Sequence, residues 1–283
     1  MIDLHTHSAV SDGSDPPGRI PELAALVGCT AVALTDHDSL KGLTEARRSA
    51  ESVGVTLVPG CEVSCKPEGL DTGSSIHVLV YFVEGEDGPL QDELRALRSD
   101  RRARNLALVK RLDELGMHVD YEALIADAGG EEGLGRPHFA QALVNLGAAE
   151  NVNDAFERWL GNDRPAYIPK GRLHPADVAR LARASGGVAS LAHPLTLGLD
   201  LPQLESFARE LAEAGFSGFE AIYSQYSPEQ RSDLSRMAWD AGLVPTGGSD
   251  YHGTFKPGLS VGLGNGDLDV PGHVLEELAA RRA

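Results

Sequence analysis

The chain has 283 residues, enough for one large α/β domain with an insertion and a core that needs no disulfide staples. Its 42 acidic residues against 25 basic ones give a formal charge of −17, which excludes long non-specific contact with a nucleic-acid backbone or an anionic membrane. A small phosphorylated substrate stays open, because bound metal ions supply positive charge that residue counts miss. The three cysteines, Cys29, Cys61 and Cys65, form no even framework. Cys61 and Cys65 flank Glu62 but lack a second pair, so packing accounts for them better than metal ligation. With no charged and apolar leader and no apolar run of ~18 residues, a reduced cytoplasmic setting without a membrane span is expected.

In chain order, the first strand-like run, 2–6, lies in Ile2-Asp3-Leu4-His5-Thr6-His7-Ser8. Further runs follow at 30–35, 55–60, 76–83, 187–192, 217–222 and 243–247. Helical patterns fall between most of them, at 21–27, 43–53, 175–184, 201–214 and 228–241, several with Pro near the first turn. Strands alternating with helices predict a parallel barrel or related wound sheet. The connection 63–75 has no helical period and contains Gly69 and Gly73, which suits a hairpin and an antiparallel fourth strand.

Residues 89–165 break this rhythm. A long amphipathic helix is expected over 89–115, with Leu90, Leu94, Leu97, Leu106, Val109 and Leu112 near helical spacing, then helices at 121–128, 137–146 and 153–160. This reads as a small helical insertion over the barrel mouth, rejoining the barrel near Pro169. The expected division is 1–88 and 169–283 for the barrel and 89–168 for the insertion. The run Arg95, Arg98, Arg101, Arg102, Arg104 reads as a solvated helix face.

Chemistry-bearing residues gather at the strand ends, where barrel sites form. His5 and His7 alternate on one strand, so both imidazoles point the same way, and two such rings are hard to explain as packing. Asp12 follows in a turn-like loop; beside the His pair it reads as a ligand rather than a turn former. Thr35-Asp36-His37-Asp38 suggests His37 on a metal with Asp36 or Asp38 orienting a ring. Glu62 is the carboxylate between histidine groups and the choice for a metal bridge. His77 begins its run, His193 ends another, and Asp250 and His252 repeat the spacing of His5 and His7. Such mixed donors suit divalent ions. His118, His174 and His273 lack matching partners and are expected on the surface.

Taken together, Asp3-Leu4-His5-Thr6-His7, Thr35-Asp36-His37-Asp38, the Glu62 and His77 pair, Ala192-His193-Pro194 and Gly248-Ser249-Asp250-Tyr251-His252 resemble, in order, the motifs of the PHP superfamily, named for polymerase and histidinol phosphatase members. The resemblance implies an α/β fold, a distorted seven-stranded β/α barrel with an all-helical insertion, carrying two or three manganese, iron or zinc ions. It places His5, His7, Glu62 and Asp250 on one ion, Glu62, His77 and His193 on a second, and Asp12, His37 and His252 on a third.

Gly135-Arg136-Pro137-His138-Phe139-Ala140 resembles the Arg-x-His-Phe-Ala signature of the stand-alone PHP phosphoesterases, which makes Arg136 and His138 expected substrate contacts, with Ser8 and Lys170 further candidates. Spacing alone would make 135–140 an ordinary helix start. The resemblance implies a metal-dependent phosphoesterase that hydrolyses a small phosphorylated substrate of nucleotide type, such as a nucleoside 3′,5′-bisphosphate, through a metal-bridging hydroxide. Asp12, Glu62, His193 and His252 are its expected catalytic residues, and Asp12, His193 or His252 could protonate the leaving oxygen. The alternatives are a diesterase acting on a cyclic phosphate of a phosphorylated ribose and a 5′–3′ exonuclease on short RNA. No obligate protein partner is expected. One departure stands out: Leu195-Thr196-Leu197 replaces the Arg-Tyr pair usual after Ala-His-Pro, which leaves the substrate open.

Overall fold

Seven short runs rich in Val, Ile, Leu and Ala form a single sheet in the computed structural model, which describes residues 1–66, 75–85, 87–130, 134–168 and 171–282. The strands β1 (Ile2–Asp3), β2 (Ala31–Leu34), β3 (Thr56–Cys65), β4 (Ile76–Tyr81), β5 (Val188–Leu191), β6 (Gly218–Tyr223) and β7 (Val244–Gly248) lie side by side in chain order. Neighbours pair in parallel, except that β4 runs antiparallel to both β3 and β5. The chain stays extended past β1 and nearly closes the sheet into a barrel. Leu4 N–H donates to the Gly247 carbonyl at 3.1 Å, Asp250 N–H to that of His5 at 2.8 Å, and His7 N–H to that of Tyr251 at 2.9 Å. The fold is the expected seven-stranded α/β barrel with its antiparallel fourth strand.

The helices, in order, are α1 (Arg19–Leu26), α2 (Leu43–Val53), α3 (Pro89–Glu114), α4 (Tyr121–Asp127), α5 (Arg136–Asn145), α6 (Val152–Ala155), α7 (Pro175–Ala184), α8 (Leu201–Glu213), α9 (Pro228–Asp240) and α10 (His273–Ala279). Among the described residues none is long and apolar enough to cross a membrane. The starts of α8 and α9 follow from sequence. Asp200 and Ser227 accept from the backbone of Gln203 and Gln230, whose side chains return the bond, and Pro sits in each first turn.

The chain divides into two compact units, Met1–Leu94 with Arg172–Ala283, and Arg95–Gly171. In the first, period-2 alternation sorts β2: Ala31 and Ala33 pack with Ile2, Leu4 and Tyr81, whereas Val32 and Leu34 pack with Ile20 and Ala24 of α1 and Ala46 of α2. The second has its own core, built on Leu108, Leu112, Phe139, Leu143 and Leu160.

Two expectations need correction. Strand β3 continues to Cys65, so Glu62 lies inside it, because pairing with β4 extends the strand to Cys65 opposite Ile76. On α3, Leu106 is exposed and Leu108 takes the buried position, since the face of α3 turned to the second unit's core runs through Asn105, Leu108 and Leu112. His174 is exposed, as expected, and also caps α7, its Nδ1 accepting from Ala176 N–H at 3.2 Å. Finally, α10 went unforeseen: seven residues with only Val274 and Leu278 buried leave too short a period to detect.

The barrel seam leaves no room for a side chain at Gly248, where a Cβ would sit 2.5 Å from both N and Cβ of His5. Gly248→Ala is expected to lower unfolding stability by about 1–3 kcal/mol, as overpacking does, and to shift His5. Denaturant titration together with metal content checks it; wild-type values for both would mean that the seam yields freely.

Candidate metal centre

Glu62 occupies the middle of the site, buried at 1 % exposure. Its Oε1 lies 2.9 Å from His77 Nδ1 and 3.1 Å from His193 Nε2; its Oε2 lies 3.1 Å from His7 Nε2, 3.3 Å from His5 Nε2 and 3.4 Å from His37 Nδ1. Strand geometry brings these groups in. The β3–β4 register sets Ser64 opposite His77, two pairs along from Glu62 and so on the same face, and the extended chain beyond β1 carries His5 and His7 along the same rim.

Asp250 Oδ1 is 3.5 Å from both His5 Nε2 and His7 Nε2. Asp12, about half exposed, places Oδ1 3.3 Å from His252 Nε2 and 3.5 Å from His7 Nδ1, and Oδ2 3.6 Å from His37 Nε2. Among the described residues, three groups have donor atoms close enough to share an ion: His5, His7 and Asp250; His37, Glu62 and His77; and His7, Asp12, His37 and His252. These overlap the ligand sets implied by the resemblance, but His7 also joins the Asp12 group, and His37 stands beside Glu62 and His77 where His193 was expected. His193 still reaches Glu62.

The donor set fits cations. His37 Nδ1 is buried without a hydrogen-bond partner, and His5 Nε2 and His7 Nε2 stand 3.1 Å apart, an arrangement suited to two lone pairs aimed at a shared positive charge. Backbone strain collects here as well: Asp38, His193 and Asp250 take positive φ of 51°, 27° and 53°, conformations costing about 1–3 kcal/mol each for non-glycine residues.

Sequence reading missed the groups that hold the ligands. Glu220 on β6 is fully buried; its Oε1 is 2.9 Å from His5 Nδ1 and its Oε2 accepts from His193 N–H at 2.7 Å. One carboxylate thus sets the His5 ring and the strained His193 backbone. An acid within the apolar run Phe219-Glu220-Ala221-Ile222 was the available signal. Asp3, buried, accepts from the backbone of His5 at 3.2 Å, Ser249 at 2.9 Å and Gly262 at 2.7 Å. Tyr223 OH donates to Asp250 Oδ2 at 2.6 Å. Of Asp36 and Asp38, either of which was expected to orient a ring, Asp36 instead accepts from Ser8 N–H and Oγ at 2.7 Å and from Ser11 Oγ at 2.8 Å, which shapes the loop after His7.

Ser8 is buried with its hydroxyl on Asp36. In the helical unit, Arg136 Nη1 donates to the Leu160 carbonyl at 3.4 Å and its guanidinium lies 5.8 Å from the Phe156 ring centre. His138 Nδ1 accepts from Gly135 N–H at 3.2 Å at the start of α5. Lys170 falls outside the described residues. Cys29, Cys61 and Cys65 are buried free thiols.

The family model of the PHP domain matches residues 3–159, more than half of the chain. The chain belongs to the PHP family. It is 34% identical to a phosphoribosyl 1,2-cyclic phosphate 1,2-diphosphodiesterase of Eggerthella lenta over 89% of this chain and 94% of the relative. It is 30% identical to a 5′-3′ exoribonuclease of Haemophilus influenzae, covering 88% and 89%. A 3′,5′-nucleoside bisphosphate phosphatase of Chromobacterium violaceum is 28% identical, covering 92% and 90%. Among solved structures, an amidohydrolase of Chromobacterium violaceum with bound sulfate and no metal superposes with a TM-score of 0.78 at 28% identity, covering 100% of this chain and 97% of the other.

Electrostatics set His37 and His77 of the PHP site apart from His5 and His193. Burial depresses His37 and His77, which keeps them neutral and ready to ligate. Burial also acts to depress His5 and His193, but nearby carboxylates, Glu220, Asp250 and Glu62 for His5 and Glu62 and Glu220 for His193, overcome it and raise both. Burial opposes charge on Glu62, yet the surrounding imidazoles outweigh it and hold its carboxyl well below the usual range.

His5 and His193 must therefore shed protons to bind an ion, and binding strengthens as pH rises. The stability their protonated forms lend to the chelator-treated protein is full below the ordinary imidazole value of 6.5 and is lost as pH rises through the raised folded values. The gap in Tm between metal-loaded and chelator-treated protein is expected to widen upward from pH 6.5, measured by calorimetry; a gap flat with pH would argue against proton–metal competition. Glu220→Gln is expected to weaken metal affinity by about 10–100-fold, in line with other groups that orient ligands, read by competition with a chromogenic chelator.

Proposed function

We propose that this PHP protein is a metal-dependent phosphoesterase that hydrolyses a small phosphorylated substrate of nucleotide type, such as a nucleoside 3′,5′-bisphosphate. The observation that carries the reading is the Glu62-centred convergence of imidazoles and carboxylates, which can hold two or three ions of the manganese, iron or zinc kind. When bound, such ions lower the pKa of water and neutralise phosphoryl oxygens. In this reading the chain's own groups supply position and charge. Glu62 presents both oxygens between histidine groups, and Glu220 and Tyr223 fix His5 and Asp250.

The histidine contacts hold the Asp12 carboxyl well below its ordinary range despite partial burial. A carboxylate that stays charged suits ion holding rather than proton donation, which leaves His193 and His252 to protonate the leaving oxygen. The negative overall charge and the named activities of two relatives favour a small phosphorylated substrate, and the setting in this reading is cytoplasmic. Arg136 and His138 enter the proposal as substrate contacts on their motif.

A second reading, the cyclic-phosphate diesterase, is favoured by the turn Pro194–Leu197. It carries Leu195-Thr196-Leu197 where an Arg-Tyr pair is usual, and Leu197 is buried there rather than offered to substrate.

His7→Ala and Glu62→Ala are each expected to reduce turnover to background in folded protein; wild-type activity in either would remove the metal-centre reading. Arg136→Ala is expected to raise KM by about 10–100-fold, the worth of a charged hydrogen bond, with kcat little changed. Comparing a nucleoside bisphosphate, a cyclic ribose phosphate and an oligonucleotide across salt concentrations separates the substrates, since a steep salt dependence marks the polymer.

A further inference from the structure

Beyond His252 the chain makes a tight turn, Gly253–Phe255, pinned where Thr254 N–H donates to Ser14 Oγ at 2.9 Å. The turn sends Lys256 back toward the metal centre, where its Nζ donates to Asp250 Oδ2. That oxygen already receives the Tyr223 hydroxyl at 2.6 Å, while Oδ1 faces His5 and His7. Tyr223 alone suffices to fix which oxygen of Asp250 turns to the ligands, so a second partner there is redundant for that task. A lysine is also a costly brace, since holding its long stem loses side-chain entropy.

The ammonium has three N–H donors, and its bond to Asp250 uses one. The side chain is 35% exposed, against 4% for Asp250, so it stands between the buried cluster and solvent. Among the described residues no other lysine or arginine is ion-paired with a member of the cluster. The turn after His193 contributes no cation, being Leu195-Thr196-Leu197. A phosphoryl group spreads its charge over several oxygens, and a carboxylate-aimed ammonium beside the ions is suited to one that the ions do not take.

We propose that Lys256 is a substrate contact: it donates to a non-bridging oxygen of the phosphoryl group, with Asp250 aiming the ammonium. The inference rests on the phosphoesterase reading and adds to it a phosphate-binding cation from the barrel unit itself.

The test uses metal-loaded full-length protein and inorganic phosphate as probe, with phosphate Kd from calorimetry and metal content measured on the same samples. Lys256→Met is expected to weaken phosphate binding by about 10–100-fold with metal content unchanged, and Lys256→Arg to recover part of it. Tyr223→Phe, which removes the other bond to Asp250 Oδ2, is expected to lower metal affinity but to leave phosphate Kd per loaded chain as in wild type. No phosphate binding by wild type, an unchanged Kd in Lys256→Met, or joint loss of metal and phosphate in both variants would overturn the proposal. Failure of the phosphoesterase reading has a different mark: phosphate binding that depends on Lys256 in a protein that turns over no phosphate ester.

Discussion

Five imidazole nitrogens lie within 3.4 Å of the two oxygens of one buried carboxylate, Glu62. No pattern of ordinary hydrogen bonds satisfies so many acceptor-capable rings at once, because each neutral imidazole has one donor and its other nitrogen needs a partner as well. Positive charge among them resolves the conflict. In this site it comes either as protons on His5 and His193 or as divalent ions. The rest of the barrel rim can be understood as what is needed to keep that crowd from relaxing apart.

Several features serve that purpose. Glu220 binds a ring on the first strand's extension and the backbone of His193, so two ligands far apart in sequence share one anchor. Asp3 ties the His5 backbone to Ser249 beside the last strand. Positive φ at Asp38, His193 and Asp250 keeps the backbone in conformations the chain would leave without such bonds. The antiparallel β4 matters too, since a parallel strand would have delivered His77 to the opposite rim.

The candidate ligands stood out in the sequence because strand periodicity and strand ends are local properties: His5 and His7 two apart, Asp250 and His252 two apart, each after an apolar run. Their anchors were less legible, because anchoring is a property of pairs. Glu220 looks like one acid in a strand until His5 and His193 are beside it, and Lys256 looks like a loop lysine until the turn brings it back to Asp250. Asp36 misled for the opposite reason: proximity to His37 in sequence suggested a ring partner, while the fold gave it the amides and hydroxyls of the preceding loop. The seven strands and most helices followed from period, whereas the length of β3 depended on a partner strand and the buried face of α3 on a core assembled elsewhere in the chain.

The ligand-bearing segments begin at residue 5 and end at residue 252, and the seam of the sheet lies between the first strand's extension and the last. During translation the early histidines leave the ribosome long before Asp250 and His252 exist. Two of the candidate groups, those drawing on Asp250 or His252, therefore stay incomplete until the last strand has been made, whereas His37, Glu62 and His77 are all present by residue 77. A cation held by His5, His7 and Asp250 would act as a rivet across the seam between the first strand's extension and the last strand.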